Sequence, residues 1–313
     1  MLFRTLPIVV LGLLSAADLA FTDPLFYVVT QNQQSGTQLF GTVDPATGSF
    51  TQIGPTVPIG EIGLVSGPGG SLLTVDYAGN LDSINPGNGA LSLIGATGLG
   101  VNIGAFGQHL GNLYATDLAN NFYNVNASTG AAELVGATHL PVIPFVPGTP
   151  NPDGTINIYN ETLFSAGGKL YATLDADIFD PTAAVINPVV DPKLYQIDPS
   201  TGVATAVNST EILITSALEV NGTVYAFAGD AEALSHSFTL NVANGNTTFI
   251  TNVDPAAGLI FGATTTPEPS SVALIGFGIT LITACQLRRA KRPKSMSEWH
   301  RNGRATHRDH QYR

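Results

Sequence analysis

The sequence predicts an all-β fold: a β-propeller of about five four-stranded blades, closed by a C-terminal strand and followed by one apolar C-terminal helix. Three observations predict it. A unit of about 41 residues recurs through the chain, every unit carries a hairpin with the same turn chemistry, and the composition of the region suits strands and tight turns.

The recurring hairpins read LFGTVDPATGSFTQIG from Leu39, LDSINPGNGALSLIG from Leu81, FYNVNASTGAAELVG from Phe122, LYQIDPSTGVATAV from Leu194 and SFTLNVANGNTTFI from Ser237. Each joins two alternating strands through an Asp or Asn (Asp44, Asn85, Asn126, Asp198, Asn241) and a glycine (Gly48, Gly89, Gly130, Gly202, Gly245), and both series step by 41, 41, 72 and 43. The short side chain accepts hydrogen bonds from the amides that follow it, and the glycine supplies the left-handed conformation that reverses the chain. These acids are therefore read as turn residues.

Upstream of each hairpin the pattern places a further strand, over 72–77, 113–118, 170–175 and 224–229. Before those come Gly-rich apolar stretches over 62–66, 103–106, 162–166 and 213–220. Four short strands in about 41 residues are the content of one propeller blade. The 72-residue step exceeds one period by about 31 residues, too few for another blade, and the surplus is assigned to loops over 141–152 and 176–192. The first unit lacks its leading strand, while 258–265 forms a strand with no hairpin after it. That last strand is expected to complete the first blade and close the ring, removing exposed sheet edges. A pair of β-sandwiches is the alternative architecture, but it needs no regular step. Apart from its spacing, the "LYxID-xxTG" hairpin resembles generic propeller repeats of exported bacterial proteins, a likeness that speaks to architecture and hardly to chemistry.

Both ends carry signals. Arg4, the apolar run 6–14 and Ser15-Ala16-Ala17 form a secretory signal peptide, 1–17, cut by signal peptidase. At the other end, Pro267-Glu268-Pro269 precedes an uncharged apolar stretch, 271–287, and then Arg288, Arg289, Lys291 and Arg292. Such a stretch is expected to be a transmembrane helix with the basic residues on the cytoplasmic side. The order of these three elements resembles the PEP-CTERM sorting signal, here 266–292. The resemblance implies an exosortase-type transpeptidase as partner, a membrane-anchored precursor, and a final place at the cell surface or in the extracellular matrix of an exopolysaccharide-making bacterium of Gram-negative type. The basic tail 293–313 is longer than this signal usually carries. The expected domains are thus 1–17, 18–265, 266–292 and 293–313.

Charge is segregated along the chain. Residues 18–266 hold 20 acidic side chains against Lys169 and Lys193, a formal net of −18, while 288–313 hold nine basic against two acidic. An acidic body repels nucleic acid, which is excluded as a partner. The single cysteine, Cys285, lies in the apolar stretch, so the body has no disulfide and no thiolate chemistry.

Candidate chemistry is sparse. The second strand of four units ends in an acid: Asp76, Asp117, Asp175 and Asp230. In a propeller these share one face, where a partial ring of carboxylates could hold Ca²⁺ through oxygen ligands; separate, solvated turns are the competing reading. His109, His139 and His236 are scattered among units and are read as turn or strand residues. No G-x-S-x-G, H-E-x-x-H or phosphate loop occurs. The only tryptophan, Trp299, lies in the tail, which argues against a quinoprotein propeller with its repeated junction tryptophans. The expected function is a non-enzymatic binding or structural module for a surface glycan or protein. The alternative is a calcium-assisted propeller hydrolase or lyase acting on an ester or polysaccharide.

Overall fold

The computed structural model describes residues 25–265 apart from 33–36, 58–59, 142–152, 154–155, 181–184 and 231–233. Twenty strands form five antiparallel sheets of four. The first sheet contains β1 (Phe26–Asn32), β2 (Thr37–Val43) and β3 (Phe50–Gln52); the second contains β4 (Glu61–Ser66), β5 (Leu72–Asp76), β6 (Asn80–Ile84) and β7 (Leu91–Ala96). The third contains β8 (Ile103–His109), β9 (Asn112–Asp117), β10 (Asn121–Val125) and β11 (Ala132–Ala137). The fourth contains β12 (Ile156–Ala166), β13 (Lys169–Asp180), β14 (Val185–Ile197) and β15 (Ala204–Ser209). The fifth contains β16 (Ile214–Val220), β17 (Thr223–Gly229), β18 (Ser235–Leu240) and β19 (Thr247–Asn252). The last strand, β20 (Leu259–Thr265), returns to the first sheet and pairs with β1, giving the order β20-β1-β2-β3.

The innermost strands β20, β4, β8, β12 and β16 pack side by side in a ring. Two features of the predicted fold class are corrected here. First, β20 completes the first sheet by pairing with β1 as expected, but no strand ladder among the described residues joins one blade to the next, so the ring is not closed as one continuous hydrogen-bonded sheet. Second, no helix among the described residues is long and apolar enough to cross a membrane. The stretch 271–287 on which the spanning helix was placed lies outside the described residues, as do Pro267, Glu268, Pro269 and the basic cluster Arg288–Arg292. Membrane anchoring, the exosortase partner and the surface localisation all rested on that helix, and no helix among the described residues supports them.

What holds the blades together is a separate apolar cluster at each junction. Phe26 and Phe227 meet between blades five and one, Phe40 meets Leu72 and Ile84 between one and two, and Phe106 meets Leu73 and Leu81 between two and three. Phe122 packs on Leu170 and Ile197 between three and four, and Phe164 on Ile214 and Val224 between four and five. Alternation along each strand sends one set of side chains to each neighbouring blade, which is why the period-two pattern runs on both faces.

The hairpin turns behave as their chemistry dictates. Asp44, Asn85, Asn126, Asp198 and Asn241 each accept a bond from the backbone amide two residues on, at 2.8–3.0 Å. Gly130, with φ of 79°, does more than reverse the chain, because a Cβ there would overlap the carbonyl oxygen of Gly95 in the preceding blade. The turn thus lets two blades approach at the backbone.

The part of the surplus expected as a loop over 176–192 is mostly strand, while 142–152 lies outside the described residues. Residues 176–180 extend β13 and 185–192 extend β14, with Ala176 opposite Val190 and Ile178 opposite Asn187. Proline in this segment suggests a loop, yet the ladder absorbs it beside register irregularities at Leu174/Ala176 and Ala176/Asp177.

Candidate active site

Asp76 and Asp117 end their second strands and Asp230 directly follows its own, whereas Asp175 lies in the middle of the lengthened β13. Asp76 is in register with Glu61, and Asp117 with Ile103, so both lie where an inner strand begins. Both are then taken up by the turn that follows. Asp76 accepts the backbone amide of Asn80 at 2.7 Å and its side-chain nitrogen at 2.9 Å. Asp117 accepts the amides of Ala119 and Asn121 at 2.9 and 2.8 Å, the Asn121 side chain at 2.9 Å and the Tyr123 hydroxyl at 2.8 Å. Asp175 is buried on β13. Among the described residues, no three His, Cys, Asp or Glu side chains converge where they could hold a metal ion. Calcium takes six to eight oxygens around one point. Acids committed to separate turns do not offer that set, and no step is derived through calcium.

Asp230 stands apart from the other three. It follows β17, and His236 lies on β18 with Ala228 as its register partner. The Leu234 amide donates to Asp230 Oδ1 at 2.9 Å, which fixes the carboxylate. Its other oxygen, Oδ2, sits 2.7 Å from His236 Nε2. On the other side of the ring, Nδ1 lies 2.9 Å from the side-chain oxygen of Asn252, the residue opposite His236 on β19. With both nitrogens protonated, the imidazolium donates to an oxygen on each side. The Phe238 and Phe249 rings lie at 6.5 and 6.3 Å from the imidazole.

This pair borders a groove of about 550 Å³ between blades five and one. One wall is the turn Thr47, Gly48 and Ser49; the other is Asn252 to Pro255. The side chains of His236 and Asp230 are 23% and 27% exposed, buried enough to hold their geometry and open enough to exchange a proton with a bound molecule. No protein-family model and no curated protein matches the chain. Among solved structures it is similar to the PQQ-bound aldose sugar dehydrogenase of Streptomyces coelicolor. The TM-score is 0.36 at 14% identity, covering 63% of this chain and 62% of that one, so the match spans less than two thirds of either.

A second imidazole, His109, has its Nδ1 2.9 Å from the Ser165 hydroxyl. Sequence reasoning missed both because the partners lie on different strands or blades. Only the six-residue spacing of Asp230 and His236 across one hairpin was available to find the first.

One further polar group is buried at the junction of blades one and two. Gln38 accepts the amides of Gly60 and Glu61 at 3.0 and 2.9 Å. The Glu61 side chain is 3% exposed, and its Oε2 has no hydrogen-bond partner among the described residues. Burial pushes its carboxyl up to about 7; a bond with Thr74 partly opposes this, and the charges of Asp82 and Asp76 add to it. It is a buried acid with an unusual proton affinity.

Proposed function

We propose that this propeller is an acid–base hydrolase or lyase acting on an ester or polysaccharide, with the chemistry in the groove between blades five and one. The observation that carries this reading is the 2.7 Å contact of His236 with Asp230 at the groove wall. A carboxylate on Nε2 fixes the ring orientation and stabilises the charged imidazole, leaving Nδ1 as the working nitrogen. Asn252 is exposed, so a substrate oxygen can replace its amide oxygen and receive the Nδ1 proton. In the neutral form the same nitrogen withdraws a proton from water or from a substrate carbon. Thr47 and Ser49 offer hydroxyls across the groove for orientation.

The test is turnover of a panel of neutral and acidic polysaccharides, and of esters carried on them, by the full chain and its variants. His236→Gln is expected to lower kcat by about 10²–10⁴-fold with little change in KM, the usual contribution of a positioned acid–base group. Asp230→Asn is expected to act in the same direction. Asp117→Asn, which alters a turn away from the groove, should leave kcat within a few-fold. Turnover that survives His236→Gln unchanged would remove the reading.

A further inference from the structure

We infer that Ser165 and His109 form a second catalytic pair, a serine nucleophile with its base, which hydrolyses small acyl esters in the central channel. This goes beyond the groove chemistry and uses none of its residues. Ser165 stands on β12 and His109 ends β8; these are innermost strands of neighbouring blades, packed side by side. The Ser165 hydroxyl lies 2.9 Å from His109 Nδ1, which is hydrogen-bond reach for a nucleophile and its base. A second acceptor, the Lys169 carbonyl, is at 3.4 Å, so the imidazole is the better acceptor for the hydroxyl proton. The arrangement requires Nδ1 unprotonated and the ring proton on Nε2. His109 is 4% exposed, and burial holds its pKa below the usual histidine range, which keeps the ring neutral and able to accept.

The pair opens onto space. Ser165 lines a channel of about 270 Å³ together with Ser66, Gln108, Thr162 and Thr264, and it is itself part-exposed. That volume lies below the ~300–1,000 Å³ of pockets that hold drug-sized molecules. The acyl group must therefore be short, of the acetyl or propionyl class, while a polymer chain is excluded. The polar lining of hydroxyls, the Gln108 amide and the Glu219 carboxylate suits an uncharged ester rather than a hydrocarbon.

The chemistry balances without a redox partner. Ser165 Oγ attacks the ester carbonyl carbon as its proton passes to His109 Nδ1, and a new carbon–oxygen bond forms. The imidazolium then returns that proton to the departing alkoxide as the original ester bond breaks, leaving an acyl-serine and an alcohol. Water enters by the same route: His109 takes its proton, the acyl–Ser165 bond breaks, the carboxylic acid leaves and the serine regains its proton.

The experiment treats the full chain with p-nitrophenyl acetate and, separately, with diisopropyl fluorophosphate, and reads p-nitrophenolate release, intact mass and the labelled peptide. The expected result is a burst of about one p-nitrophenolate per chain and a single phosphoryl adduct on Ser165. Ser165→Ala should lose both at an unchanged thermal midpoint. His109→Gln should slow labelling by about 100-fold or more. The position of the adduct on the peptide carrying Ser165 separates this site from the groove. The labelling rate should rise with pH through one ionisation and then flatten, a profile that a merely structural hydrogen bond would not produce. An adduct absent from Ser165, or formed at the same rate in His109→Gln, overturns the inference. If Ser165→Ala does not fold, the adduct position and pH profile of the unaltered chain still decide it.

Discussion

Glu61 shows how a single residue sets a pH response. Its carboxyl titrates near 7 in the folded chain, against 4.5 for an unburied glutamate, because burial penalises the anion. A raised acid pKa means that the folded state binds the proton more tightly than the unfolded state. Its stabilisation is therefore complete below pH 4.5 and is lost as pH rises to about 7. At ~1.4 kcal/mol per unit the swing is about 3 kcal/mol. Glu61→Gln keeps the shape and removes the proton, so the variant should lose most of the decline in thermal midpoint between pH 4.5 and 7.5. Asp82, also raised first by burial and then by Asp76, leaves a smaller slope of the same sign. Parallel melting curves for the two proteins would sink this account. None of it was legible in the sequence, where Glu61 is one acid among 20 between residues 18 and 266. Its burial depends on Gln38, 23 positions away, arriving from another blade.

Individual elements were easier to read, because their signals are local. The Asp/Asn-to-Gly turn encodes its own geometry within five residues, so all five hairpins sit where the pattern puts them. Asn126→Ala removes the acceptor for Ser128 and Thr129 and should cost about 1 kcal/mol, the net worth of a typical hydrogen bond, measurable by urea unfolding. Phe122 is fully buried between blades three and four, stacked on Tyr114 at 5.0 Å. Phe122→Ala should cost about 3–5 kcal/mol, because the neighbouring sheet cannot collapse into the void. A loss below 1 kcal/mol would show that the junction is not held by packing. What the elements concealed was length. The prolines at 188 and 192 read as loop residues, yet β13 and β14 run through that region, since pairing with a neighbouring strand overrides local preference.

For the whole molecule, the repeat period carried the architecture, while the way the ring holds together was beyond it. A 41-residue step says how many blades there are; it says nothing of whether they are joined by ladders or by apolar contact. The candidate sites were illegible for the same reason. Asp230 was singled out as an oxygen ligand, but its partner is His236 on the adjacent strand, and His109 meets Ser165 only because two blades pack edge to edge. Removing residues 259–265 strips the innermost strand from blade one and should abolish cooperative unfolding, as followed by near-ultraviolet circular dichroism, if the ring folds as one unit. The pairing of that strand has a mechanical meaning as well. Phe26 lies directly opposite Thr265, and the antiparallel register then runs inward from them. A tether pulling these two residues apart loads the β1–β20 bonds one after another, like a zipper, rather than all at once in shear. The domain should open at low force from that seam, blade one first, while the same tether attached within any other blade meets higher resistance.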